Sequence, residues 1–381
     1  MPFGRAEDLA PGSPLQERAP ATVLHVDTER GWRGGERQVL WLSRGLATLG
    51  YRNVLGARPG EPLAVRTGAE GIETVPLAPA FEGDPRAALA LRRAMRRHGV
   101  QLVHAHTAHA AALAALATFG TGVPFVAARR VDFPLKRNAF TRWKYSRAAA
   151  IIAVSEAVGA MVRRARLQTP VLVVPDGTDV RRAREPASRE TLAALGVPRG
   201  APLVVQVAQL VGHKDPITFV DAIAAARERE PALHALLVGE GPLRGPVEEA
   251  VRARGLEGVL HCTGYRTDAD ALLASADVVA LSSREEGMGS VLLDALVFAR
   301  PVAATRAGGI PEVVRDGETG LLVPVGDGAA LGAAIATLLG DPARAARMGA
   351  AARARAPEFS LEALAMRTRD VYEQVLRRAA R

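Results

Sequence analysis

The feature that most restricts the fold of this chain is a repeated alternation of short apolar runs with segments of helical periodicity. The run ATVLHV, residues 21–26, precedes a glycine-rich loop and then VLWLSRGLATLG, residues 39–50, whose apolar side chains recur at helical spacing. The same order of strand, loop and helix recurs along the chain. Strands that alternate with helices in this way form parallel sheets covered by helices on both faces.

The alternation falls into two series, which are separated by a polar, proline-rich stretch. We therefore predict an α/β protein with two doubly wound, Rossmann-like domains that face each other across a cleft. The predicted parts are a flexible tail (1–19), an N-terminal domain (20–185), a linker (186–200), a C-terminal domain (201–360) and a terminal helix that packs back on the N-terminal domain (361–381). Sheets of this kind bind ligands at the carboxyl ends of their strands, so the cleft is the predicted site.

The single cysteine and the lack of long apolar runs restrict the cellular compartments in which the protein is expected. Cys262 is the single cysteine, which excludes an internal disulfide and indicates a reducing compartment. The first 20 residues lack the apolar core of a signal peptide, and no run of about 18 apolar residues occurs. We expect a cytoplasmic protein that acts at the inner face of the membrane.

The positive charge of the chain is concentrated in its first half. Residues 1–190 carry 28 basic and 17 acidic side chains, whereas residues 191–381 carry 21 and 23. The first half is therefore expected to meet an anionic partner, although a basic solvated surface gives the same pattern. Nucleic acid is not expected, since aromatic residues make up only 4% of the chain and no zinc-ligand spacing, RNA-recognition motif or helix-turn-helix occurs.

Two basic segments of this half predict peripheral contact with an anionic membrane. Residues 91–99 and 129–147 are rich in arginine. The second segment also holds Phe133, Phe140 and Trp143, whose rings suit the headgroup region.

The stretch SSREEGMGSVLLDAL, residues 282–296, places charge and bare backbone where a buried strand ends and an apolar helix begins. Gly287 and Gly289 allow the backbone to approach a ligand closely. The free N–H groups of Ser290 and Val291, together with the helix dipole, attract an anion such as phosphate.

Two acids of the same stretch supply acceptors for hydroxyl groups. Glu286 lies in the crevice loop, and Asp294 lies on the first turns of the helix, where its carboxylate can accept hydrogen bonds from a diol. Acids at a helix start are also common for purely structural reasons. Recognition of phosphate and diol in one place predicts a nucleotide sugar as the ligand.

The motifs around this stretch resemble those of the family-4 retaining glycosyltransferases of GT-B fold. Glu286-x7-Asp294 corresponds to the family's pair of glutamates, and Arg306–Pro324, RAGGIPEVVRDGETGLLVP, corresponds to its Gly-Gly-x-Pro-Glu segment. The N-terminal motifs GWRGGERQ and YSRAAAIIAVSEAV resemble the family more loosely. The resemblance implies a metal-independent, retaining transfer of a hexosyl-type sugar, without a cofactor. The donor would be a nucleotide-diphosphate sugar, and the acceptor a saccharide or lipid-linked molecule of cell-envelope glycan or glycolipid synthesis.

The resemblance also implies roles for individual residues. Glu286 would contact hydroxyls of the donor sugar, and Asp294 would hold the ribose, for which the family uses the longer glutamate. Lys214 matches the lysine that clamps the donor diphosphate, whereas Gln209 stands where the family has arginine, so the clamp is weaker by one cation. His106, at the end of a strand, would face the reacting sugar.

The predicted donor site joins two glycine-rich loops and several strand ends. It comprises Gly34, Gly35, Gln209, Lys214, Glu240, Tyr265, Arg266, Glu286, Gly287, Met288, Gly289, Ser290, Val291 and Asp294. The predicted catalytic residues are His106, Glu286 and Lys214, and the acceptor-side candidates are His109, Arg129 and Arg130. A surface-loop position explains Glu240, Tyr265 and Arg266 equally well. Lys214 has support of its own, because lysine occurs at only three positions in this arginine-rich chain.

A histidine cluster in the segment VHAHTAH suggests a metal site at first sight. It contains His104, His106 and His109. Because side chains alternate along a strand, we expect His104 and His106 to lie on opposite faces. No cluster of acids completes a ligand set, and we therefore predict no metal.

Three other functions share parts of this pattern. A nicotinamide-dependent dehydrogenase would also be α/β, but GWRGGE after the first strand does not match its G-x-G-x-x-G loop. A sugar-nucleotide 2-epimerase shares the two-domain architecture, and product analysis with and without an acceptor separates the two. A non-catalytic sugar-nucleotide-binding protein would bind the donor without turnover, and the substitutions at Gln209 and Asp294 favour it.

Overall fold

The computed structural model describes residues 21–182 and 185–381, so the predicted tail at 1–19 lies outside the described residues. The first half of the described chain forms one parallel sheet with its helices. The strands are β1 (Thr22–Asp27), β2 (Arg52–Ala57), β3 (Glu73–Pro76), β4 (Leu102–Ala105), β5 (Phe125–Arg129), β6 (Ala150–Ala153) and β7 (Val171–Val173). The helices are α1 (Gly34–Thr48), α2 (Pro62–Ala69), α3 (Pro85–Arg97), α4 (Ala108–Thr118), α5 (Ala139–Ser146) and α6 (Glu156–Arg163).

The second half forms another parallel sheet after the short helix α7 (Arg189–Ala194). Its strands are β8 (Leu203–Val207), β9 (His234–Val238), β10 (Leu260–Gly264), β11 (Val278–Leu281), β12 (Val302–Thr305) and β13 (Gly320–Val323). Its helices are α8 (Pro216–Arg227), α9 (Arg244–Ala253), α10 (Ala269–Ser275), α11 (Ser290–Val297), α12 (Ile310–Val313), α13 (Gly328–Gly340), α14 (Pro342–Arg355) and α15 (Leu361–Ala379), with 3₁₀ turns at Gly212–Lys214 and Ala356–Phe359.

Both sheets reverse their strand order beside their first strand. The N-terminal sheet has the order β3-β2-β1-β4-β5-β6-β7, and the C-terminal sheet has the order β10-β9-β8-β11-β12-β13. The reversals lie between β1 and β4 and between β8 and β11. Such switch points open a crevice at the carboxyl ends of the strands, where ligands bind. The predicted pair of doubly wound α/β domains is confirmed.

The central strands are buried on both faces, as their unbroken apolar sequences require. Every residue of β4 (LVHA) and of β11 (VVAL) is buried. Helices pack on each face of a parallel sheet, so a central strand has no solvent side on which to place polar residues. Histidines in β1 and β4 are exceptions that require buried hydrogen-bond partners.

The predicted linker at 186–200 contains the helix α7, which the sequence interpretation did not place. Ser188 caps this helix by accepting a hydrogen bond from the backbone N–H of Thr191. Just after it, Val197 is buried in the same apolar cluster as Leu203 of β8.

The C-terminal helix α15 packs against α1 of the N-terminal half. Val371 and Tyr372 share an apolar cluster with Leu42 and Leu46 of α1. A Cβ on Gly45 would lie 2.8 Å from the Cβ of Ala365, so glycine allows the two helices to meet closely. Among the described residues, no helix combines the length and apolar character needed to cross a membrane.

Candidate active site

The candidate residues follow the strands that flank the two switch points. In the N-terminal half, Gly34 begins the helix after β1, and His106 directly follows β4. In the C-terminal half, Lys214 lies in the 3₁₀ turn after β8, and Glu286 lies in the loop after β11. The fold therefore gathers residues that are far apart in sequence at two crevices.

Close backbone contacts bring the two crevices together. A Cβ on Gly34 would lie 2.8 Å from Oγ of Ser290, so the start of α1 meets the start of α11. A Cβ on Gly287 would overlap the backbone carbonyl oxygen of Arg130. Glycine at these two positions thus lets the N-terminal and C-terminal halves touch.

Lys214 and Glu286 form an ion pair at the switch point of the C-terminal sheet. The Lys214 ammonium bonds to Oε2 of Glu286, and the same oxygen accepts a hydrogen bond of 3.1 Å from Ser283 Oγ. The two side chains keep 21% and 10% of their surface exposed. A cation and an acid predicted separately from the sequence are therefore direct neighbours.

A network of backbone contacts holds the Lys214 turn against the Glu286 loop. The carbonyl oxygen of His213 accepts a hydrogen bond of 2.8 Å from the N–H of Arg284. Ser282 Oγ donates to the carbonyl oxygen of Asp215 at 2.8 Å. Asp215 has a left-handed backbone (φ 44°) and caps α8, which turns the chain away directly after Lys214. This network fixes the Lys214 ammonium beside the crevice.

The start of α11 supplies N–H groups in the same crevice. Gly289 takes φ 81°, a conformation that favours glycine, and is the N-cap. Ser290 and Val291 open the helix, and the N–H groups of a first turn have no partner within the helix. Met288 is buried beneath this turn, whereas a Cβ on Gly35 across the cleft would meet open space. The geometry suits an anion.

Asp294 occupies a different environment from Glu286. Its Oδ2 accepts a hydrogen bond of 3.0 Å from Arg37 Nη2 on α1, and its Oδ1 accepts one of 2.6 Å from Arg182 Nη2. Thr178 Oγ1 also donates to Oδ1 at 3.3 Å. The side chain of Asp294 is only 4% exposed. Both of its oxygens are engaged by cations, so Asp294 ties the two halves of the chain together.

The histidines lie together, which corrects one expectation. The ring centroids of His104 and His106 are 4.0 Å apart, and His25 of β1 completes a buried group whose ligand atoms lie within 4.8 Å of one another. The expectation that His104 and His106 lie on opposite faces is wrong, because residues two apart on a strand share a face. Burial lowers the pKa of His25 to about 4 and the pKa values of His104 and His106 well below the usual value, so the three rings are neutral.

Three acids near the cleft were missed by the sequence analysis. Asp27 at the end of β1 is 3% exposed, and burial raises its pKa to about 7. Burial likewise raises the pKa of Glu36 on α1 and of Asp132 after β5. Asp132 accepts a hydrogen bond of 3.3 Å from the N–H of Glu286 and so contacts the opposite wall. Asp27 and Asp132 are single acids at strand ends without a distinguishing pattern, and Glu36 lies inside the motif GWRGGERQ, from which the sequence analysis took only the glycines.

Both halves of the chain match models of known protein families. Residues 188–355 match the model "Glycosyl transferases group 1", and residues 32–182 match the model "Glycosyltransferase Family 4". The chain belongs to the glycosyl transferases of group 1. The predicted family is confirmed.

Relatives whose function is named match this chain over part of its length. The lipopolysaccharide core biosynthesis glycosyltransferase LpsE of Rhizobium meliloti is 31% identical over 185 residues, which cover 48% of this chain and 52% of that protein. The D-inositol 3-phosphate glycosyltransferase of Kineococcus radiotolerans is 34% identical over 226 residues, which cover 54% and 52%. The chain spans about half the length of the curated relatives it matches.

Solved structures resemble this glycosyltransferase over nearly its whole length. HepE of Anabaena, in complex with UDP, has a TM-score of 0.80 and 21% identity and covers 93% of this chain and 100% of its own. Sucrose-phosphate synthase of Thermosynechococcus elongatus has a TM-score of 0.77 and 22% identity, with coverages of 93% and 99%. At this identity the likeness shows the fold, and it confirms the predicted GT-B architecture.

The other side chains of the predicted donor site, Gln209 for the diphosphate and Glu240, Tyr265 and Arg266 for the base, are spread along the C-terminal sheet. Gln209 is exposed, and its side chain bonds to no other described residue. Glu240 pairs with Arg244, and Tyr265 is 63% exposed. Arg266 bonds to both oxygens of Asp268, each at 2.7 Å. These residues follow β8, β9 and β10, on the same edge of the sheet as Glu286.

The acceptor-side candidates of the glycosyltransferase have unequal surroundings. His109 is exposed on α4. Arg129 is buried and folds back onto the carbonyl oxygen of Phe133, and burial lowers its pKa. Arg130 bonds through Nε to Asp176 at 3.0 Å and keeps 17% of its side chain exposed.

Proposed function

We propose that this protein transfers a hexosyl-type sugar, with retention of configuration, from a nucleotide-diphosphate sugar to a saccharide or lipid-linked acceptor of cell-envelope glycan or glycolipid synthesis. The observation that carries the proposal is the Lys214–Glu286 pair beside the start of α11. It puts a cation and helix N–H groups for a diphosphate next to a carboxylate for sugar hydroxyls. Membership of the group 1 family and the UDP held by the structural neighbour HepE support it.

The proposed chemistry is electrostatic. As the bond between the anomeric carbon and the diphosphate oxygen breaks, both electrons pass to the diphosphate, while an acceptor hydroxyl oxygen bonds to the anomeric carbon and its proton passes to an oxygen of the departing diphosphate. The Lys214 ammonium and the start of α11 stabilise the growing negative charge of the leaving group. Glu286 stabilises the positive charge that develops on the sugar. These groups supply the charge for which other transferases use a divalent ion.

The remaining donor contacts are proposals of the same kind. Asp294 is proposed to hold the ribose, for which one of its oxygens must exchange an arginine for a hydroxyl. Glu240, Tyr265 and Arg266 are proposed to line the base, because they follow the neighbouring strands β9 and β10, and Gln209, after β8, is proposed to donate a hydrogen bond to the diphosphate. Uridine is the first base to test, since HepE was solved with UDP.

The N-terminal half is proposed to face the acceptor and an anionic membrane surface at the inner face of the membrane. Phe133 is 47% exposed and Phe140 is 40% exposed, close to the exposed arginines Arg137 and Arg142. Exposed aromatic rings interleaved with basic side chains suit an anionic headgroup region.

A panel of nucleotide sugars measured by thermal shift tests the donor assignment. A ligand at 100 times its Kd adds about 2.7 kcal/mol to stability, which gives a clear shift in Tm. Products are then analysed with and without saccharide acceptors and with excess EDTA. Sugar transfer that persists in EDTA supports the proposal. Epimerised donor without transfer indicates an epimerase, and donor binding without any turnover indicates a binding protein.

A further inference from the structure

A continuous chain of hydrogen bonds crosses the switch point of the N-terminal sheet, in a region where the sequence analysis assigned a catalytic role to His106 alone. His25 Nε2 lies 3.0 Å from Asn53 Oδ1, and His25 Nδ1 lies 3.0 Å from His106 Nε2. His106 Nδ1 lies 3.2 Å from Nη1 of Arg130, whose Nε bonds to Asp176 at 3.0 Å. We call these five residues the Asn53–Asp176 relay.

The donor and acceptor of each hydrogen bond in the relay can be deduced by starting from Asn53, the residue at one end of it. The amide nitrogen of Asn53 donates to the carbonyl oxygens of Ser43 and Tyr51, at 3.0 and 3.3 Å, so its Oδ1 must be the atom that faces His25. An amide oxygen only accepts, and His25 Nε2 therefore carries a proton. Since His25 is buried and neutral, its Nδ1 is an acceptor.

The same logic fixes the tautomer of His106. Its Nε2 must carry the proton that His25 Nδ1 accepts, which leaves Nδ1 as the acceptor in a neutral ring. Arg130 has only donors, so its Nη1 donates to this Nδ1. Both nitrogens of His106 are therefore used inside the protein. In this arrangement the ring holds Arg130 rather than offering a nitrogen to the sugar.

Arg130 is held on two sides and retains free donors. Nε is fixed by Asp176 and Nη1 by His106, while Nη2 makes no hydrogen bond to any residue within 21–182 or 185–381. Arg130 follows β5, and its carbonyl oxygen lies against Gly287 at the start of the donor loop. A guanidinium whose orientation is already fixed loses little entropy when it binds an anion and is suited to carboxylate or phosphate.

We propose that the Asn53–Asp176 relay orients Arg130 as a binding site for an anionic group of the acceptor, phosphate in the first instance, with His25 and Asn53 as positioning residues. The proposal rests on the proposed function, since it names the class of acceptor. It also accounts for the buried rings of His25 and His106 without a metal. A metal on Nε2 of His106 would require the proton on Nδ1, directly opposite the donor of Arg130.

The test combines a tautomer measurement with a phosphate titration. Nitrogen-15 spectra of the wild-type protein should show His106 neutral, with its proton on Nε2. Inorganic phosphate is then titrated by calorimetry in the presence of saturating UDP, which occupies the donor diphosphate site. Arg130→Gln should weaken phosphate binding about 10- to 150-fold, the range for loss of hydrogen bonds to a charged group. His25→Phe should shift the tautomer of His106 and weaken phosphate at least about fivefold, through the same loss of a held charged contact.

Tyr372→Phe is the matched control. It removes the 2.6 Å hydrogen bond to His104 in the same buried cluster but leaves the relay intact, so neither the tautomer nor phosphate binding should change. Unchanged phosphate affinity in Arg130→Gln, or a proton on Nδ1 of His106 in the wild type, would overturn the proposal. If His25→Phe does not fold, the wild-type spectrum and Arg130→Gln still decide. Failure of UDP to bind would count against the proposed function alone, because the tautomer of His106 is measured without UDP and still tests the relay.

Discussion

At the switch point of the C-terminal sheet, a lysine and a glutamate face each other with part of their surface exposed. At the switch point of the N-terminal sheet, the central groups are neutral histidines, and His25 and His106 are 0% and 5% exposed. The two crevices have similar backbone architecture. Each is formed by the loops that follow the first strand of its sheet and the neighbouring strand across the switch point. The side chains therefore differ in kind, with a partly exposed ion pair on one wall and buried neutral rings that contact Arg130 on the other. The ion pair supplies charge directly to a diphosphate, whereas the neutral rings fix the orientation of a neighbouring group.

The largest expected effect concerns Asp27, an acid of the N-terminal crevice whose ionisation falls near neutral pH. Burial raises the pKa of Asp27 to about 7, above its value in the unfolded chain. Its contribution to stability is thus fully present below about pH 4 and is lost as the pH rises to about 7, a change of up to about 4 kcal/mol. Asp27→Asn should remove this dependence in urea unfolding at pH 5 and pH 8. Asp370→Asn, whose side chain is 65% exposed, is the control and should behave as the wild type. Equal pH dependence in Asp27→Asn would show that this wall carries no buried ionisation.

The next largest expected effect concerns Asp294, which connects the C-terminal half to the N-terminal half through its ion pair with Arg37. Asp294→Ala removes the carboxylate that pairs with Arg37, while Arg182 keeps its pair with Asp270, and breaking a buried ion pair costs about 3 kcal/mol or more. The variant should unfold at lower urea concentration and should also bind nucleoside diphosphate more weakly, by about 1–3 kcal/mol, if Asp294 holds the ribose. Unchanged nucleotide affinity together with lower stability would restrict Asp294 to joining the two halves.

Glu286 should act on turnover rather than on nucleotide binding. Glu286→Gln keeps the shape of the side chain and removes the charge that stabilises the sugar as it becomes cationic, so kcat should fall about 10²-fold or more. Affinity for the bare nucleoside diphosphate, which has no sugar to contact, should hardly change. If this affinity falls as far in Glu286→Gln as in Asp294→Ala, the two acids do not have separate roles.

Lys214 should act on donor binding. Lys214→Ala removes a charge-assisted contact worth roughly 1.5–3 kcal/mol, so donor affinity should fall about 10- to 150-fold by calorimetry. Lys136→Ala is the matched control, because Lys136 is an exposed lysine outside the crevice. Unchanged donor affinity in Lys214→Ala would show that Lys214 does not bind the donor, and charge would then not distinguish the C-terminal crevice from the N-terminal one.

The smallest effect per residue concerns the outer surface of the N-terminal half. Each basic residue near an anionic membrane contributes about 1 kcal/mol. Arg137 and Arg142 are exposed, whereas Lys144 of the same segment is buried and paired with Glu82. Replacing Arg137 and Arg142 by alanine should therefore weaken binding to acidic liposomes, and salt should weaken it further. Equal binding of the wild type to neutral and acidic vesicles would leave the charge as solvated surface.

The fold and the C-terminal crevice were predictable because their determinants are local. The alternation of apolar runs and helical periods specifies a doubly wound sheet, and a strand end followed by glycines and a helix start identifies the Glu286 loop. The 3₁₀ turn after β8 carries Lys214 to the same edge because carboxyl ends of parallel strands coincide.

What sequence reasoning missed depends on contacts between distant parts of the chain. Arg37 and Asp294 are 257 positions apart, and nothing marks Arg37 among the many arginines of this chain. His25 joins the histidine cluster because β1 and β4 pair in a register that places His25 beside His104. The error about His104 and His106 had a local cause. Side chains on a strand return to the same face every two residues, whereas the prediction placed these two on opposite faces.

The contact between α15 and α1 has a consequence for synthesis. Part of the apolar cluster of the first half, including Val371, Tyr372 and Val375, is translated only after the whole second half. At roughly 5–20 residues per second, the ribosome completes the first half many seconds before the side chains that cover α1 exist. During that interval Leu42 and Leu46 have no partner on α15, and their side chains form apolar surface on the nascent chain that α15 does not yet cover. A helix that is translated after the C-terminal sheet thus completes the packing of a helix that left the ribosome long before it.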